Sequence, residues 1–206
     1  MRVLLSERVA ITTCACLVTA VSFAAFDSER AIISCVLGWA MLAIAASDAK
    51  RFIIPDVLSL PAIPVGLLAT GLSNETVGAG QTVLEHTIAA VAAFGLLWLV
   101  RHAYHFSRQA HGLGLGDVKL GAVAGAWLGV QGATNALLLA CLLALTYAFG
   151  LSVLTRRPLS RTSVLPLGVF LAPAIWITWC VTGPAVPSMA PDEGSSLYLI
   201  VPSPIG

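Results

Sequence analysis

Three acidic side chains abut apolar stretches instead of lying among polar residues: Asp48, Asp56 and Asp117. The first two bracket the segment Asp48-Ala49-Lys50-Arg51-Phe52-Ile53-Ile54-Pro55-Asp56, and the third closes His111-Gly112-Leu113-Gly114-Leu115-Gly116-Asp117 before Val118 and Lys119. Two carboxyls held side by side cannot both ionise cheaply, so they share a proton. The protonated one then polarises a carbonyl while the ionised one takes a proton from water, which is how an aspartate pair hydrolyses an amide bond. Glycines at alternate positions before Asp117 suit a compact turn, tolerant of unusual backbone and open to close approach by an extended peptide. Asp117 is expected at a cap or in the first turn of a helix, where unpaired N–H groups and the helix dipole favour its anion. Pro55 suits a first helical turn in the same way. The blander reading pairs these aspartates with Lys50, Arg51 or Lys119 as interfacial ion pairs.

The elements that must position these groups are set by composition. Of 206 residues, 58% are hydrophobic and 10% charged, far from the roughly 45–50% and 25% of a soluble domain, and the mean hydropathy is +0.91. A water-soluble globule is excluded. A formal charge of +1 leaves no basic surplus for a nucleic-acid backbone, so no nucleic-acid partner is expected. A membrane-crossing helix takes about 20 apolar residues. Runs of that kind fall near 9–26, 31–47, 53–72, 83–101, 117–131, 134–154 and 164–182. The expected fold is all-α, a polytopic transmembrane helix bundle of about seven spans, six forming a core behind an N-terminal helix. The expected organisation is an N-terminal membrane helix in 1–30, a core in 31–182 and a Pro-rich tail in 183–206. The first run, with Arg2 and Arg8 before it, reads as a retained anchor; a cleaved signal peptide is the alternative, but the apolar stretch exceeds the usual ~7–15 residues.

Alternating the spans with the N-terminus inside puts Arg2, Arg8, Lys50, Arg51, Arg101, Arg108, Lys119, Arg156, Arg157 and Arg161 on one side, leaving Arg30 alone on the other. By the positive-inside rule that side is the cytoplasm and the tail is outside. Asp48 ends the second span and Asp117 begins the fifth, with two complete crossings between them. Both carboxyls are therefore expected at one face. Asp27, Glu29, Glu75, Asp192 and Glu193 fall in outer loops or the tail, and Glu7 and Glu85 lie near interfaces.

The segments Asp48-x-Lys-Arg-x-Ile-Ile-Pro-Asp56, Gly114-Leu-Gly-Asp-Val-Lys-Leu120 with Gly121 to Gly129 after it, and Pro166-Leu-Gly-Val-Phe-Leu-Ala-Pro173 together resemble the type IV prepilin peptidases, membrane aspartic proteases with a Gly-x-Gly-Asp motif. The resemblance covers about residues 35–180. It implies a peptidase of the bacterial inner membrane that cuts the leader of prepilins or pseudopilins after a glycine, at the cytoplasmic face. It also implies that Asp48 and Asp117 are the catalytic pair, and that Asp56 caps or forms a turn. Gly114, Gly116, Pro55 and Lys119 support the motif or the substrate, with Lys119 otherwise a snorkelling lysine. Bifunctional members carry a cytoplasmic loop with paired Cys-x-x-Cys and methylate the new N-terminus; this sequence has neither, so it resembles the peptidase-only form, with no cofactor or metal expected. A presenilin-like protease shares the Gly-x-Gly-Asp, but Ser47 stands where that group has tyrosine before its aspartate. A proton-coupled transporter and a non-catalytic scaffold are the readings from other classes.

Four further features have plain structural explanations. Cys14, Cys16, Cys35, Cys141 and Cys180 are expected to pack as small apolar side chains. His102, His105 and His111 form a cluster without an obvious fourth metal ligand. Pro61 and Pro64 lie inside the third span. Gly121, Gly125 and Gly129 make a small-residue stripe suited to close helix contact within the bundle.

Overall fold

The computed structural model describes residues 2–73, 79–108, 113–155 and 166–182, with side chains over 9–72, 79–106, 113–155 and 166–182. These residues form six helices: α1 (Arg2–Ala25), α2 (Ser28–Arg51), α3 (Asp56–Ser73), α4 (Ala79–Arg108), α5 (Leu115–Thr155) and α6 (Gly168–Thr182). No strand occurs among them, so the fold is all-α as expected. By length and composition α2, α4 and α5 can each cross a membrane, while Val9–Ala25, Asp56–Leu72 and Gly168–Thr182 are apolar but shorter. Large side chains such as Val57, Leu68, Leu72, Val91, Leu145 and Phe149 face outward, the arrangement a lipid solvent demands.

The seven apolar runs map onto six helices because α5 carries two of them. A straight helix of its 41 residues would be about 60 Å long, twice the roughly 30 Å of a hydrocarbon core. The helix breaks at Gly129, with φ 67° and ψ −171°, a region open essentially to glycine alone. Gly121 and Ala124 before the break and Ala133 and Leu137 after it line one apolar cavity of about 170 Å³. The second arm therefore folds back along the first. The break separates the Ala126 carbonyl from its regular helical partner, the amide four residues on, and His86 Nδ1 lies 3.0 Å from that oxygen.

Gly121 and Gly125 meet the expectation of a close-contact stripe, and Gly129 does not. A Cβ on Gly125 would stand 2.5 Å from the backbone of Ala89 and Ala90, so α4 and α5 touch backbone to backbone there. Gly121 faces Leu97 in the same interface. On the other side α6 packs between α2 and α5, with Trp179 edge-on to Trp127 at 5.4 Å. Trp127 also donates to the Ala62 carbonyl at 2.8 Å, tying α3 to α5. Helix α3 runs unbroken through Pro61 and Pro64, both of which are exposed. A buried polar cluster joins α1, α2 and α6: the hydroxyls of Ser22 and Ser34 lie 2.9 Å apart, and Trp176 Nε1 donates to Ser34 at 3.3 Å.

Several boundaries differ from the apolar runs. Helix α1 starts at Arg2, α2 spans Ser28–Arg51 and α4 continues to Arg108, because hydrogen bonds and caps end a helix whereas charges end an apolar window. Cys35 is buried and Cys180 half-buried, but Cys14, Cys16 and Cys141 are exposed, so three of the five cysteines point away from the core instead of packing within it. Residues 183–206 of the expected tail lie outside the described residues.

Candidate active site

Four helix ends meet at one end of the bundle. Asp48 lies in the last turn of α2, Asp56 opens α3, Asp117 is in the first turn of α5 and Gly168 begins α6. The C-terminus of α2 closes on Phe52, whose amide donates to the Asp48 carbonyl at 2.9 Å from a left-handed conformation with φ 53°. That conformation is the usual end of a helix, but it is normally filled by glycine, and a bulky residue there carries strain of about 1–3 kcal/mol. Ser47 Oγ donates to the Ile53 carbonyl at 3.0 Å and clamps the same turn. Pro55 then stands just before α3, its carbonyl accepting from the amides of Leu58 and Ser59 at 3.1 Å. It therefore occupies the cap position itself, one residue earlier than the first-turn place expected.

Ile54 is the apolar plug of this turn. It is buried, whereas Phe52 and Ile53 are exposed. A Cβ on Gly116 would stand 2.7 Å from Ile54 Cβ, and one on Gly168 would stand 2.9 Å from Ile54 Cδ1. Gly116 is thus required for close approach; among the described glycines positive φ belongs to Gly129. Gly114 caps α5, and its amide donates to Asp117 Oδ2 at 3.2 Å. This is the return half of a capping box, with the third residue of the helix reaching back to its cap. Arg101, near the end of α4, holds the same loop by donating to the Leu113 carbonyl at 2.7 Å.

Asp48 is held from a different helix. Its Oδ2 accepts the Val169 amide of α6 at 3.1 Å, and the Gly168 amide is directed at both Asp48 and Asp117. Each carboxyl is therefore held by backbone N–H groups at helix N-termini, where the dipole favours negative charge. Asp48 and Asp117 are 5% and 8% exposed, and both line an open cavity of about 220 Å³ together with Phe52, Ile53, Ile54, Asp56, Gly114, Leu115, Gly116 and Lys119. At its rim Lys119 Nζ is 2.6 Å from Asp56 Oδ1, the lysine 20% and the aspartate 58% exposed. The ion pair links α3 to α5, and a pair this exposed contributes about 0.2–1 kcal/mol.

All seven residues singled out in the sequence, Asp48, Pro55, Asp56, Gly114, Gly116, Asp117 and Lys119, come together at this end of the bundle. Three contributors went unassigned: Arg101, Ile54, and the amides of Gly168 and Val169. The Pro166–Pro173 segment carried the last as a motif without a role, and backbone donors leave no mark in side-chain chemistry. His102 does not line the cavity. His102 Nδ1 bonds the Trp98 carbonyl at 3.0 Å and its ring stacks on Trp98 at 3.9 Å, while His111 lies outside the described residues. Among the described residues no group of three His, Cys, Asp or Glu side chains is arranged to hold a metal.

Two carboxyls over one cavity, both anchored by amides, form a set able to hold water and a carbonyl together. A family model described as the type IV leader peptidase family matches residues 35–149, more than half the chain. Curated relatives named prepilin leader peptidase/N-methyltransferase include that of Aeromonas salmonicida, 34% identical over 69% of this chain and 46% of the relative. That of Dickeya chrysanthemi is 41% identical over 51% of this chain and 35% of the relative, and that of Pseudomonas putida 30% identical over 80% and 54%. The chain spans about half the length of the curated relatives it matches, and no solved structure matches it significantly. The matched segment holds both aspartates and the apolar helices between them: this chain is a membrane protein and belongs to the type IV leader peptidase family.

Proposed function

We propose that the chain is an integral-membrane aspartic endopeptidase that removes the leader of type IV prepilins or pseudopilins after a glycine. Asp48 and Asp117 act as the catalytic pair. The observation that carries the reading is the shared cavity: two buried carboxyls from different helices, each held by backbone amides, both reach the same open space. The pair carries one proton. The ionised carboxyl takes a proton from water as the water oxygen bonds to the scissile carbonyl carbon, and the protonated carboxyl donates to the carbonyl oxygen. The tetrahedral species then collapses, the C–N bond breaks, and the departing amine takes up a proton from the pair. Pro55, Asp56, Gly114, Gly116 and Lys119 shape and hold the cavity wall.

The positive-inside distribution supports a cytoplasmic N-terminus, a periplasmic C-terminus and a cytoplasm-facing site in the bacterial inner membrane. In this reading residues 1–30 anchor the chain, 31–182 form the peptidase core and 183–206 are periplasmic. The proposal is confined to cleavage, since the N-methyltransferase in the relatives' names belongs to chains about twice as long as the matched part. A proton-coupled transporter would set its acidic groups near mid-membrane, whereas these two lie in terminal turns of their helices.

The test is co-expression with a candidate prepilin, reading substrate size on a gel. Asp48→Asn and Asp117→Asn each abolish leader removal while inserting into the membrane as the unaltered chain does. Full processing by either variant would overturn the assignment of the pair.

A further inference from the structure

Helix α6 begins without a side-chain cap of its own. Its cap position is Leu167, whose carbonyl accepts from the amides of Phe170 and Leu171 at 3.0 and 2.9 Å but whose side chain has no oxygen for the first amides of the helix. A helix start normally receives that oxygen from Ser, Thr, Asp or Asn at the cap. Here it comes from α2: Asp48 Oδ2 accepts the Val169 amide at 3.1 Å. The approach is close because residue 168 is glycine. A Cβ there would stand 2.7 Å from Asp48 Oδ2 and 3.0 Å from its Cγ. Behind this contact Leu171, Ala172, Ala174 and Ile175 are almost fully buried, so α6 cannot retreat without unpacking from α2 and α5.

Building on the proposed peptidase reading, we infer that the first turn of α6 is the positioning element of the site, its Gly168 and Val169 backbone fixing Asp48 as the trans cap of that helix. With Oδ2 engaged by Val169, the carboxyl is held against the cavity it lines. Val169 acts through Asp48 and Gly168 through both carboxyls, so they are positioning residues. The backbone contact also makes Asp48 answer to two demands, capping α6 and serving the cavity.

The test uses the full chain in detergent micelles with a prepilin substrate. Gly168→Ala pushes a methyl group into the carboxyl, and Val169→Pro deletes its donor within the first turn, where the amide has no intrahelical partner to lose. Each is expected to lower kcat roughly 100-fold, the size of effect a misplacement near 1 Å produces, with KM within about threefold of the unaltered chain. The added methyl would also meet Ile54 Cδ1 at 2.9 Å, so a packing origin is separated by Ile54→Val, which removes that atom. Gly168→Ala placed on Ile54→Val is expected to keep the full loss relative to Ile54→Val alone. Retention of kcat by Gly168→Ala or Val169→Pro, a loss carried by KM, or rescue by Ile54→Val would each overturn the inference. Thermal unfolding of Asp48→Ala, Val169→Pro and the double variant decides the same contact without an activity. A double variant no less stable than the worse single supports the trans cap, and additive losses refute it. If the unaltered chain cleaves no prepilin, the peptidase reading fails, while this cycle still decides the contact.

Discussion

The break at Gly129 allows a sharp test, because three glycines of α5 differ in what an added methyl group would meet. At Gly150 it would meet nothing within 4 Å, and the residue is exposed in a helical interior, so Gly150→Ala should stabilise by about 0.5–1 kcal/mol through chain entropy alone. At Gly129 there is also room, the nearest atom being His86 Nε2 at 3.5 Å. The cost is conformational: alanine at φ 67° and ψ −171° is strained by about 1–3 kcal/mol. At Gly125 the backbone is helical but the space is filled, with Ala89 and Ala90 backbone atoms at 2.5 Å. Ordinary carbon contacts need about 3.5–4.0 Å, so α4 and α5 must part by roughly 1 Å at a cost of about 1–3 kcal/mol. Unfolding in mixed micelles with increasing SDS reads the order: Gly150→Ala at or above the unaltered chain, the other two below it. Gly129→Asn should do no better than Gly129→Ala, since asparagine tolerates the left-handed region but not this ψ. Because the reversal at Gly129 returns the chain toward the end where α6 meets Asp48, leader cleavage should fall along with stability in Gly129→Ala. Equal stability of Gly129→Ala and Gly150→Ala would refute the hairpin in α5.

Other consequences are smaller and independent. Trp127→Phe keeps an aromatic ring beside Trp179 but deletes the 2.8 Å bond to Ala62 and leaves a void where the larger indole packed, and should cost about 1–3 kcal/mol in the same unfolding assay. Ser34→Ala strands the indole N–H of Trp176 and the hydroxyl of Ser22 in a buried place, so a loss of about 1–3 kcal/mol is expected, larger than for Thr134→Ala on the exposed surface. Arg101→Gln releases the Leu113 carbonyl and should slow cleavage about tenfold, the rate equivalent of about 1.4 kcal/mol of lost positioning, with insertion unchanged. Swapping the ion pair as Asp56→Lys with Lys119→Asp should recover part of the cleavage lost in either single variant, whereas additive losses would refute a coupling across α3 and α5. Chelators should leave cleavage unchanged, measured on the purified chain with and without EDTA.

The convergence of the two aspartates is legible in the sequence, because it depends on parity. An even number of crossings between two residues returns them to one face whatever the tilt or packing of the helices. The glycines were half readable: spacing marked Gly114 and Gly116 as special, but only packing shows that Ile54 fills the space that a side chain on Gly116 would claim. Hydropathy located seven apolar runs without showing that one helix holds two of them, since a single backbone dihedral at Gly129 makes the difference and composition does not encode it. What stayed hidden is carried by the main chain. The Val169 amide, the Ala126 carbonyl that His86 meets and the Leu113 carbonyl that Arg101 holds all belong to residues whose side-chain types give no hint of the contact.

The two carboxyls differ in a way that bears on how the site was assembled. Asp117 lies in the first turn of its own helix, where local amides and the dipole suit an anion, so α5 supplies its anchor from three residues away. Asp48 lies in the last turn of α2, the end where a helix dipole disfavours negative charge by about 0.3–1 kcal/mol. Lys50 and Arg51 in that turn offset part of this, and the start of α6 supplies amides of the right polarity. Asp117 is thus anchored first by local sequence, with the Gly168 amide as a second donor, whereas Asp48 is anchored by tertiary packing alone. Damage to the bundle, as in Gly125→Ala or Ser34→Ala, should therefore reach Asp48 before Asp117. In such variants cleavage should fall further than Arg101 substitutions predict from the Asp117 side alone, and equal sensitivity of the two sides would argue that α6 does not carry the load assigned to it here.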